Sequence, residues 1–281
     1  MAYVSEMAID AVGDLRPPLD PALVRAELER CGIGGLPVTV VDRLASTNAT
    51  TAALLAAGSQ TPFAVVAESQ SAGRGRLDRS WASPPGASLL VSVAVDTPSR
   101  PSTWGWLPLL SGVATVLTVR DLGVPAVVKW PNDVIVDHPH GPRKLAGILC
   151  EGSGSGTAIV GIGLNVDQRS DELATVTATS LRLEGRRVDS REALLAALVS
   201  RVLEFVGEWN AVGGDAAACG LSDRYVSLCS TLGQRVEAQL PADGRLRGTA
   251  VAIGAEGDLV IDSGDGVHRF SAGDIIHIRP A

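Results

Sequence analysis

The sequence predicts an α/β (α+β) domain followed by a small all-β domain. Between residues 37 and 230, segments with the pattern of buried strands are interspersed with helical patterns. From residue 232 onward the pattern changes to short strands separated by Gly and Asp turns, which is typical of a small barrel. The chain has 281 residues, 46% of them hydrophobic and 20% charged. This length allows one large core and a small satellite domain.

Three predicted helices begin at a residue that can cap a helix. Asp20 precedes a proline and a short helix that ends at Gly32. Ser46 precedes a helix of small and apolar residues that ends at Gly58, and Ser190 precedes a long helix with one apolar face. Because Ser and Asp oxygens accept hydrogen bonds from the free amides of a first helical turn, these residues are expected helix starts.

Two further segments, 104–121 and 213–230, are also predicted to be helical. The stretch 101–119 is long and uncharged, but its apolar residues recur at helical spacing and polar residues interrupt it. It is therefore predicted to be one buried helix rather than a membrane span. Residues 1–19 are expected to form a disordered or extended lead-in.

Seven strands are predicted in the large domain and five in the small one. Their β-branched and apolar runs are bounded by Gly, Pro, Asn or Asp. The predicted strands are 38–42, 63–68, 87–95, 127–130, 134–137, 144–149 and 158–166, then 235–240, 246–253, 259–263, 267–270 and 275–278.

Charge and cysteine usage argue against several functional classes. The net charge of −7 disfavours non-specific nucleic-acid binding, which needs a broad basic surface, and residues 1–36 are too short for a winged-helix DNA-binding module. Residues 1–12 contain two acids and no Lys or Arg, unlike a secretory signal. The four cysteines show neither a Cys-x-x-Cys pair nor zinc spacing. We therefore expect reduced thiols, no metal bound by protein ligands and a cytoplasmic location.

Residues 70–81 contain the first stretch with functional chemistry. Gly73 and Gly75 alternate with Arg74 and Arg76. Three arginines against one aspartate give this stretch a charge of +2, although the whole chain carries −7. Glycine lets the backbone approach a ligand closely, and a guanidinium can bind an oxyanion with two donors. The stretch predicts a phosphate-binding loop, with an Arg-rich surface turn as the alternative.

Lysine is nearly absent from the chain. Of the 24 basic residues, only Lys129 and Lys144 are lysines. Because the lysine ammonium is a compact and rotatable point charge, both are interpreted as positions where a guanidinium would not serve. Lys129 ends a predicted strand close to Asp133, and the two could form a structural ion pair or contact a ligand.

Glycines interrupt two of the predicted strands. Gly147 lies within one strand, and Gly161 and Gly163 lie within the next. A glycine inside a strand often marks close approach by a ligand or another backbone. Neither segment matches the dinucleotide fingerprint, and no P-loop pattern occurs. A bound nucleotide would need a loop of another kind.

Five segments, in order, resemble the biotin protein ligases. They cover roughly residues 38 to 166, and both lysines lie within them. The segments are Ser46-Thr-Asn48, Gln70 with Gly73-Arg-Gly-Arg76 and Trp81, Lys129-Trp-Pro-Asn-Asp133, Lys144-Leu-Ala-Gly147, and Gly161-Ile-Gly-Leu-Asn165.

The resemblance implies a mixed-sheet catalytic domain of the biotin/lipoate ligase type followed by an SH3-like β-barrel. The expected divisions are an N-terminal extension with one short helix at 1–36, the catalytic domain at 37–230 and the barrel at 231–281. It also implies the short form of the family, without a DNA-binding domain.

The resemblance further implies a two-step reaction. Biotin and MgATP give biotinyl-5′-AMP and pyrophosphate, and the biotinyl group then passes to a lysine of a biotin carboxyl carrier protein domain of an acyl-CoA carboxylase. ATP and biotin would be substrates and Mg²⁺ the cofactor, with neither DNA nor a membrane as partner. The nearest alternative is a lipoate ligase or octanoyltransferase. A non-catalytic biotin-binding regulator is disfavoured, because it would need no phosphate clamp.

Residue roles follow from the resemblance, position by position. Lys144, Arg76 and Arg74 would be catalytic, and Asp133 is a candidate base for the acceptor lysine. The residues expected to contact substrate are Ser46, Thr47, Asn48, Gln70, Gly73, Arg74, Gly75, Arg76, Trp81, Lys129, Asn132, Asp133, Lys144, Gly147 and Asn165.

Overall fold

The computed structural model describes residues 16–97, 101–154, 156–240, 244–272 and 277–280. Its helices are α1 Pro21–Arg30, α2 Thr47–Ala56, α3 Trp106–Asp121, α4 Arg191–Ala211 and α5 Leu221–Leu228. Its strands are β1 Val38–Leu44, β2 Phe63–Gln70, β3 Ser88–Asp96, β4 Ala126–Lys129, β5 Asp133–Val136, β6 Arg143–Gly152, β7 Thr157–Asn165, β8 Arg235–Gln239, β9 Arg245–Ile253, β10 Leu259–Asp262, β11 Val267–Phe270 and β12 His277–Pro280.

Strands β1 to β7 form one mixed sheet. Its order is β1-β2-β3-β7-β6-β5-β4, in which β1 and β2 are parallel and every other neighbouring pair is antiparallel. Each strand predicted for this domain is present, with bounds that differ by a few residues. The predicted α/β fold class is therefore confirmed.

The three predicted caps are present. The Asp20 carboxylate accepts from the amide of Ala22 at 2.7 Å, and the Ser190 hydroxyl accepts from that of Ala193 at 3.0 Å. The Ser46 hydroxyl, at 3.5 Å from the amide of the third residue after it, caps α2 more loosely. These local contacts explain why the sequence pattern located the helix starts correctly.

Alternation along the strands gives the sheet two different faces. On β7, Val160, Ile162 and Leu164 belong to the main core, which α1, α3 and α4 cover. Gly161 and Gly163 point to the opposite face, where α2 packs against β2, β3 and β7. One face therefore carries the main apolar core, and the other carries a smaller apolar cluster beneath α2 and, on β7, the two glycines.

Helix α3 is the central helix of the core. The segment Pro101–Asp121, which includes it, is long and apolar enough to cross a membrane, but 72% of its apolar stretch is buried inside the protein. Its hydroxyls bond within the helix, as in the Thr115 Oγ1 to Ser111 O contact of 2.8 Å. The buried helix predicted for this region is confirmed, and it begins after a 3-10 turn at Pro101–Gly105.

Strands β8 to β12 form a small antiparallel sheet with the order β11-β10-β9-β8-β12. Indole groups of the larger domain donate to its backbone. Trp106 Nε1 donates to Ala255 O at 2.9 Å, and Trp130 Nε1 donates to Gly257 O at 3.1 Å. Because both indoles are almost fully buried, they hold the small sheet against the end of the main one.

One expectation was wrong in part. The helix expected at 213–230 is limited to α5, because Asp215 forms a turn by accepting from the amides of Ala217 and Ala218, and Gly220 has a φ of 71°. Of the expected lead-in at 1–19, residues 1–15 lie outside the described residues. Residues 16–19 are held in place by contacts to distant parts of the chain.

Candidate active site

A cavity of about 680 Å³ opens on the α2 face of the main sheet. Every residue expected to contact substrate lines it, except Gly73. The residues come from the start of α2, the end of β2 and its following loop, β4 to β6, and the end of β7. The fold thus brings together segments that are up to about 120 residues apart.

The floor of the cavity is made of glycines under an indole. Gly147 on β6 pairs directly with Gly163 on β7. A Cβ at Gly163 would lie 2.5 Å from Trp81 Cε2, and a Cβ at Gly147 would lie 2.9 Å from Trp81 Cζ3. Trp81 Nε1 is buried and has no hydrogen-bond partner among the described residues. The indole therefore lies directly on the glycines, and the slot that remains beside it has one free donor, which suits a small ring with polar edges.

The start of α2 forms one wall of this slot. Gln70 Oε1 accepts from the backbone amide of Thr47 at 2.7 Å and from its hydroxyl at 3.1 Å. Ser46 and Thr47 are both about 5% exposed. These contacts orient the Gln70 amide and fix the polar start of the helix at the cavity wall.

Asn48 has most of its hydrogen-bonding capacity occupied by the protein. Its Nδ2 donates to Leu149 O at 3.1 Å and to Glu151 Oε2 at 2.6 Å, and its Oδ1 accepts from Ser92 Oγ at 2.6 Å. A Cβ at Gly161 would lie 2.2 Å from Asn48 Oδ1, so only glycine fits beneath it. Asn48 therefore holds α2 on the sheet, and its amide has no donor left for a ligand.

The Gly-Arg loop is closed on itself. Gly75 N donates to Arg79 O at 2.6 Å, and Trp81 N donates to Gly73 O at 2.8 Å. Gly73 is needed here, because a Cβ would lie 2.3 Å from Trp81 O. Leu77 at the loop tip has a φ of 56° and is 52% exposed. A non-glycine residue in this conformation is strained by about 1–2 kcal/mol, and such strain is common in loops that bind ligands.

The two arginines of the loop have different environments. Arg74 is about half exposed, and its Nη2 lies 3.2 Å from Glu151 Oε1. Arg76 donates from Nη1 to Asn132 Oδ1 at 3.5 Å and from Nη2 to the carbonyl of Ala272 in the small domain. Burial lowers the pKa of Arg76, and the nearby Asp133 carboxylate opposes that effect. An arginine stays charged even so, and Arg76 is thus a largely desolvated cation at the cavity.

Asp133 pairs with Lys144, not with Lys129. Lys144 Nζ lies 2.6 Å from Asp133 Oδ1 and 5.7 Å from the centre of the Trp81 ring. Lys129 lies opposite Asp133 in the β4–β5 ladder, but it has no ion pair with any carboxylate in the described part of the chain. The structural ion pair considered between Lys129 and Asp133 is therefore wrong. Lys129 faces Asp133 in the strand ladder, but it is the Lys144 side chain that reaches the Asp133 carboxylate.

Two amides line the other end of the cavity. Asn132 Nδ2 donates to Ile148 O at 2.8 Å. Asn165 Nδ2 donates to Thr179 O at 2.9 Å, and its Oδ1 accepts from Gln168 Nε2 at 2.8 Å. Gln168 also donates to Ser88 Oγ at 2.6 Å. Both amides are thus held in fixed orientations, each with part of its hydrogen-bonding capacity still available.

Sequence reasoning missed the segment after β7 that completes the cavity wall. The segment is joined to β6, because Lys144 N donates to Thr177 O at 2.7 Å and Thr179 N donates to Lys144 O at 2.8 Å. Its lining residues are Glu172, Leu173, Ala174, Thr175, Thr177 and Ala178. No periodicity marks this region, so the sequence offered no signal for it.

An arginine near the N-terminus holds the wall segment that follows β7 in place. Arg16 Nη2 donates to Glu172 Oε2 at 2.6 Å, and Arg16 Nε donates to Asp167 Oδ2 at 2.9 Å. The Arg16 guanidinium lowers the pKa of Glu172 to about 2, with a further contribution from the amide of Arg169. The N-terminal segment therefore supports the cavity from about 150 residues away in sequence.

Comparisons with known proteins agree with this geometry. Residues 40–167 match the model of the Biotin/lipoate A/B protein ligase family, and residues 231–278 match that of the Biotin protein ligase C terminal domain. A biotin–[acetyl-CoA-carboxylase] ligase of Mycobacterium tuberculosis is 36% identical over 94% of this chain and 98% of its own length. The bifunctional ligase/repressor BirA of Escherichia coli is 32% identical over 78% of this chain and 67% of its own.

A solved structure shares the fold. The biotin protein ligase of Aquifex aeolicus in complex with biotin and ATP superposes with a TM-score of 0.71 and 26% identity, covering 87% of this chain and 99% of that one. The expected family resemblance is confirmed by the length of these matches. The chain belongs to the biotin protein ligase family.

Proposed function

We propose that this protein activates biotin with ATP to form biotinyl-5′-AMP and pyrophosphate, and then transfers the biotinyl group to a lysine of an acceptor protein. The similar proteins named above are ligases of this kind, and one was solved with biotin and ATP. Support from this chain's own residues comes from the slot and the cations that border it. The acceptor is a biotin carboxyl carrier protein domain of an acyl-CoA carboxylase.

The bicyclic ring of biotin is assigned to the slot beside Trp81, between the indole and the start of α2. The free Trp81 Nε1 and the polar start of α2 at Ser46 and Thr47, fixed by Gln70, supply polar contacts at its edges. Apolar walls with a few fixed donors and acceptors are the usual design of small-molecule sites.

The carboxylate of biotin is assigned to the end of the slot nearest Lys144. When a carboxylate attacks an α-phosphate, two anions approach within ~4 Å, and their repulsion is ~4 kcal/mol at an effective dielectric of ~20. Lys144, Arg76 and Arg74 line the cavity and can offset this repulsion. Their role is electrostatic: they stabilise the charge of the transition state and the leaving pyrophosphate.

The Gly-Arg loop is assigned to cover the acyl-adenylate. The mixed anhydride hydrolyses if water reaches it, and a loop that closes over a site excludes water. Gly75 lines the cavity and allows the backbone to approach the phosphate. Asn132 and Asn165 border the same cavity and are assigned to the nucleotide.

Mg²⁺ is proposed to arrive with ATP. The described residues include no group of three or more His, Cys, Asp or Glu that could hold a metal ion. Mg²⁺ usually keeps phosphate and water ligands and takes only one or two carboxylates, so this residue set fits it. Phosphate oxygens and water would supply most of its ligands, because Asp133 is paired with Lys144, and the bound cation would neutralise phosphate charge.

The domain divisions 1–36, 37–230 and 231–281, a cytoplasmic location and the absence of DNA binding are retained as part of this proposal. The main support for it is that fourteen residues assigned to the site from the sequence line one cavity. Among them are Gly147 of the cavity floor and the three cations assigned to the phosphate. The test is pyrophosphate release by the full chain in the presence of biotin and ATP, with biotin omitted as the control. Equal release with lipoate would favour a different acyl substrate, and no release with either acid would refute the proposal.

A further inference from the structure

A partly exposed hydrogen-bond network links the predicted biotin wall to the Gly-Arg loop through one carboxylate. Glu151 accepts from Asn48 Nδ2 at 2.6 Å, and its two oxygens lie 3.2 and 3.3 Å from Arg74 Nη2. No role follows for Glu151 from the sequence motifs. Its position on β6, in the same alternation as Gly147 and Leu149, places it on the sheet face that carries the main cavity, two residues beyond the lining residue Leu149.

Glu151 also lines a second cavity of about 230 Å³, which adjoins the first. Five residues line both cavities: Arg76, Pro131, Asn132, Ile148 and Leu149. Most of the other lining residues are apolar, among them Trp104, Leu107 and Pro108. An apolar passage with a carboxylate along it matches the shape of a lysine side chain, which has an aliphatic stem and a cationic head.

An acceptor lysine needs such a carboxylate. Five cations line the main cavity: Arg74, Arg76, Arg79, Lys129 and Lys144. They repel an incoming ammonium, so a negative group must offset them along its route.

The two carboxylates that line the main cavity are already committed. Asp133 lies 2.6 Å from Lys144, and Glu172 is held by Arg16 at 2.6 Å on the opposite wall. Glu151 differs, because its cation Arg74 belongs to the loop assigned to the phosphate. When Arg74 turns to the adenylate, Glu151 loses its cation, while Asn48 keeps the carboxylate in place.

We propose that Glu151 receives the ammonium of the acceptor lysine in the transfer step, taking it in exchange for Arg74. This inference rests on the proposed function. The ammonium loses one proton to solvent before attack, and the neutral amine adds to the acyl carbon of biotinyl-5′-AMP. The bond from that carbon to the phosphate oxygen breaks, AMP leaves as the dianion, and the second amine proton passes through the Glu151 carboxylate to solvent. The sequence named Asp133 as the candidate base for the acceptor lysine. Because Asp133 is paired with Lys144, Glu151 takes that role in this proposal.

The test separates the two steps of the reaction. The full chain and its Glu151→Gln variant are each supplied with synthetic biotinyl-5′-AMP, followed by either a purified carrier domain or hydroxylamine. Gln keeps an acceptor for Asn48 but removes the charge. Hydroxylamine is a neutral nucleophile, so its attack does not need a carboxylate. Pyrophosphate release from biotin and ATP is measured in parallel.

The expected result is a selective loss. Glu151→Gln lowers kcat/KM for the carrier lysine by ~10–100-fold relative to hydroxamate formation by the same variant, the usual effect of removing one charge-assisted hydrogen bond. Glu151→Asp, which keeps the charge, restores part of the transfer. The control is Glu208→Gln, because Glu208 pairs with Arg224 at the same 3.2 Å and with similar exposure, far from the cavity.

Three results would overturn the inference. Transfer by Glu151→Gln equal to that of Glu208→Gln would remove Glu151 from the reaction. An equal loss of hydroxamate formation would show that the substitution only disturbs the structure. Failure of Glu151→Asp to exceed Glu151→Gln would exclude a role for the charge. Absence of pyrophosphate release from the unsubstituted chain would instead refute the proposed function itself.

Discussion

The substitution Gly161→Ala tests the packing that supports the slot. The added methyl would lie 2.2 Å from Asn48 Oδ1 and 2.9 Å from its Cγ, distances that folded proteins do not tolerate. Asn48 cannot simply turn aside, because it is 4% exposed and bonded to Ser92, Leu149 and Glu151. The side chain must move, and its hydrogen bonds must break or lengthen.

The magnitude follows from those three bonds. Each contributes about 1 kcal/mol net, so we expect a loss of about 2–3 kcal/mol of folding free energy. For a chain of this size, each kcal/mol lowers Tm by roughly 2–4 °C, and the total decrease is then about 5–10 °C. Because Asn48 holds the start of α2, biotin affinity should also fall.

The matched control substitution is expected to change the folding stability in the opposite direction. Gly207 lies inside α4, and a Cβ there would meet no atom within 4 Å. Gly207→Ala should therefore stabilise the protein by about 0.5–1 kcal/mol, because alanine favours the helix. Both variants are measured by thermal unfolding, and biotin binding is measured by titration calorimetry. If Gly161→Ala unfolds at the parent temperature and binds biotin normally, the tight contact with Asn48 does not exist as described.

Three further predictions concern the charges of the site. Lys144→Ala should leave a folded protein whose pyrophosphate release is slowed at least ~10²-fold, the usual scale for one electrostatic stabiliser; normal release would remove Lys144 from the adenylation step. Arg76→Gly should release reactive adenylate, detected as biotin on lysines of a bystander protein, and retention of the adenylate would contradict the proposed cover. Glu172 has its pKa lowered from 4.5 to about 2, chiefly by Arg16, so the stability it contributes is present above pH 4.5 and lost as the pH falls toward 2. Tm measured against pH should therefore fall less steeply in this range for Glu172→Gln than for the parent.

The sequence alone determined the local structure of this protein. Capping at Asp20, Ser46 and Ser190 set three helix starts, because the donor and acceptor of a cap lie within three residues of each other. Strand patterns located the strands of the sheet for a similar reason, because the pattern of a strand also lies within a few neighbouring residues. The glycines and arginines at 73–76 and the rare lysines also pointed to positions that, apart from Gly73, line one cavity.

Only the tertiary structure decided which charges meet. Asp133 lies nearer to Lys129 in sequence and faces it across the ladder, yet it pairs with Lys144. Arg16 fastens Glu172, and Glu151 holds Arg74, over separations of 156 and 77 residues. Long, flexible charged side chains choose partners by position in space, and that position depends on strand order and register across the whole sheet. No pattern within a short window of sequence contains this information.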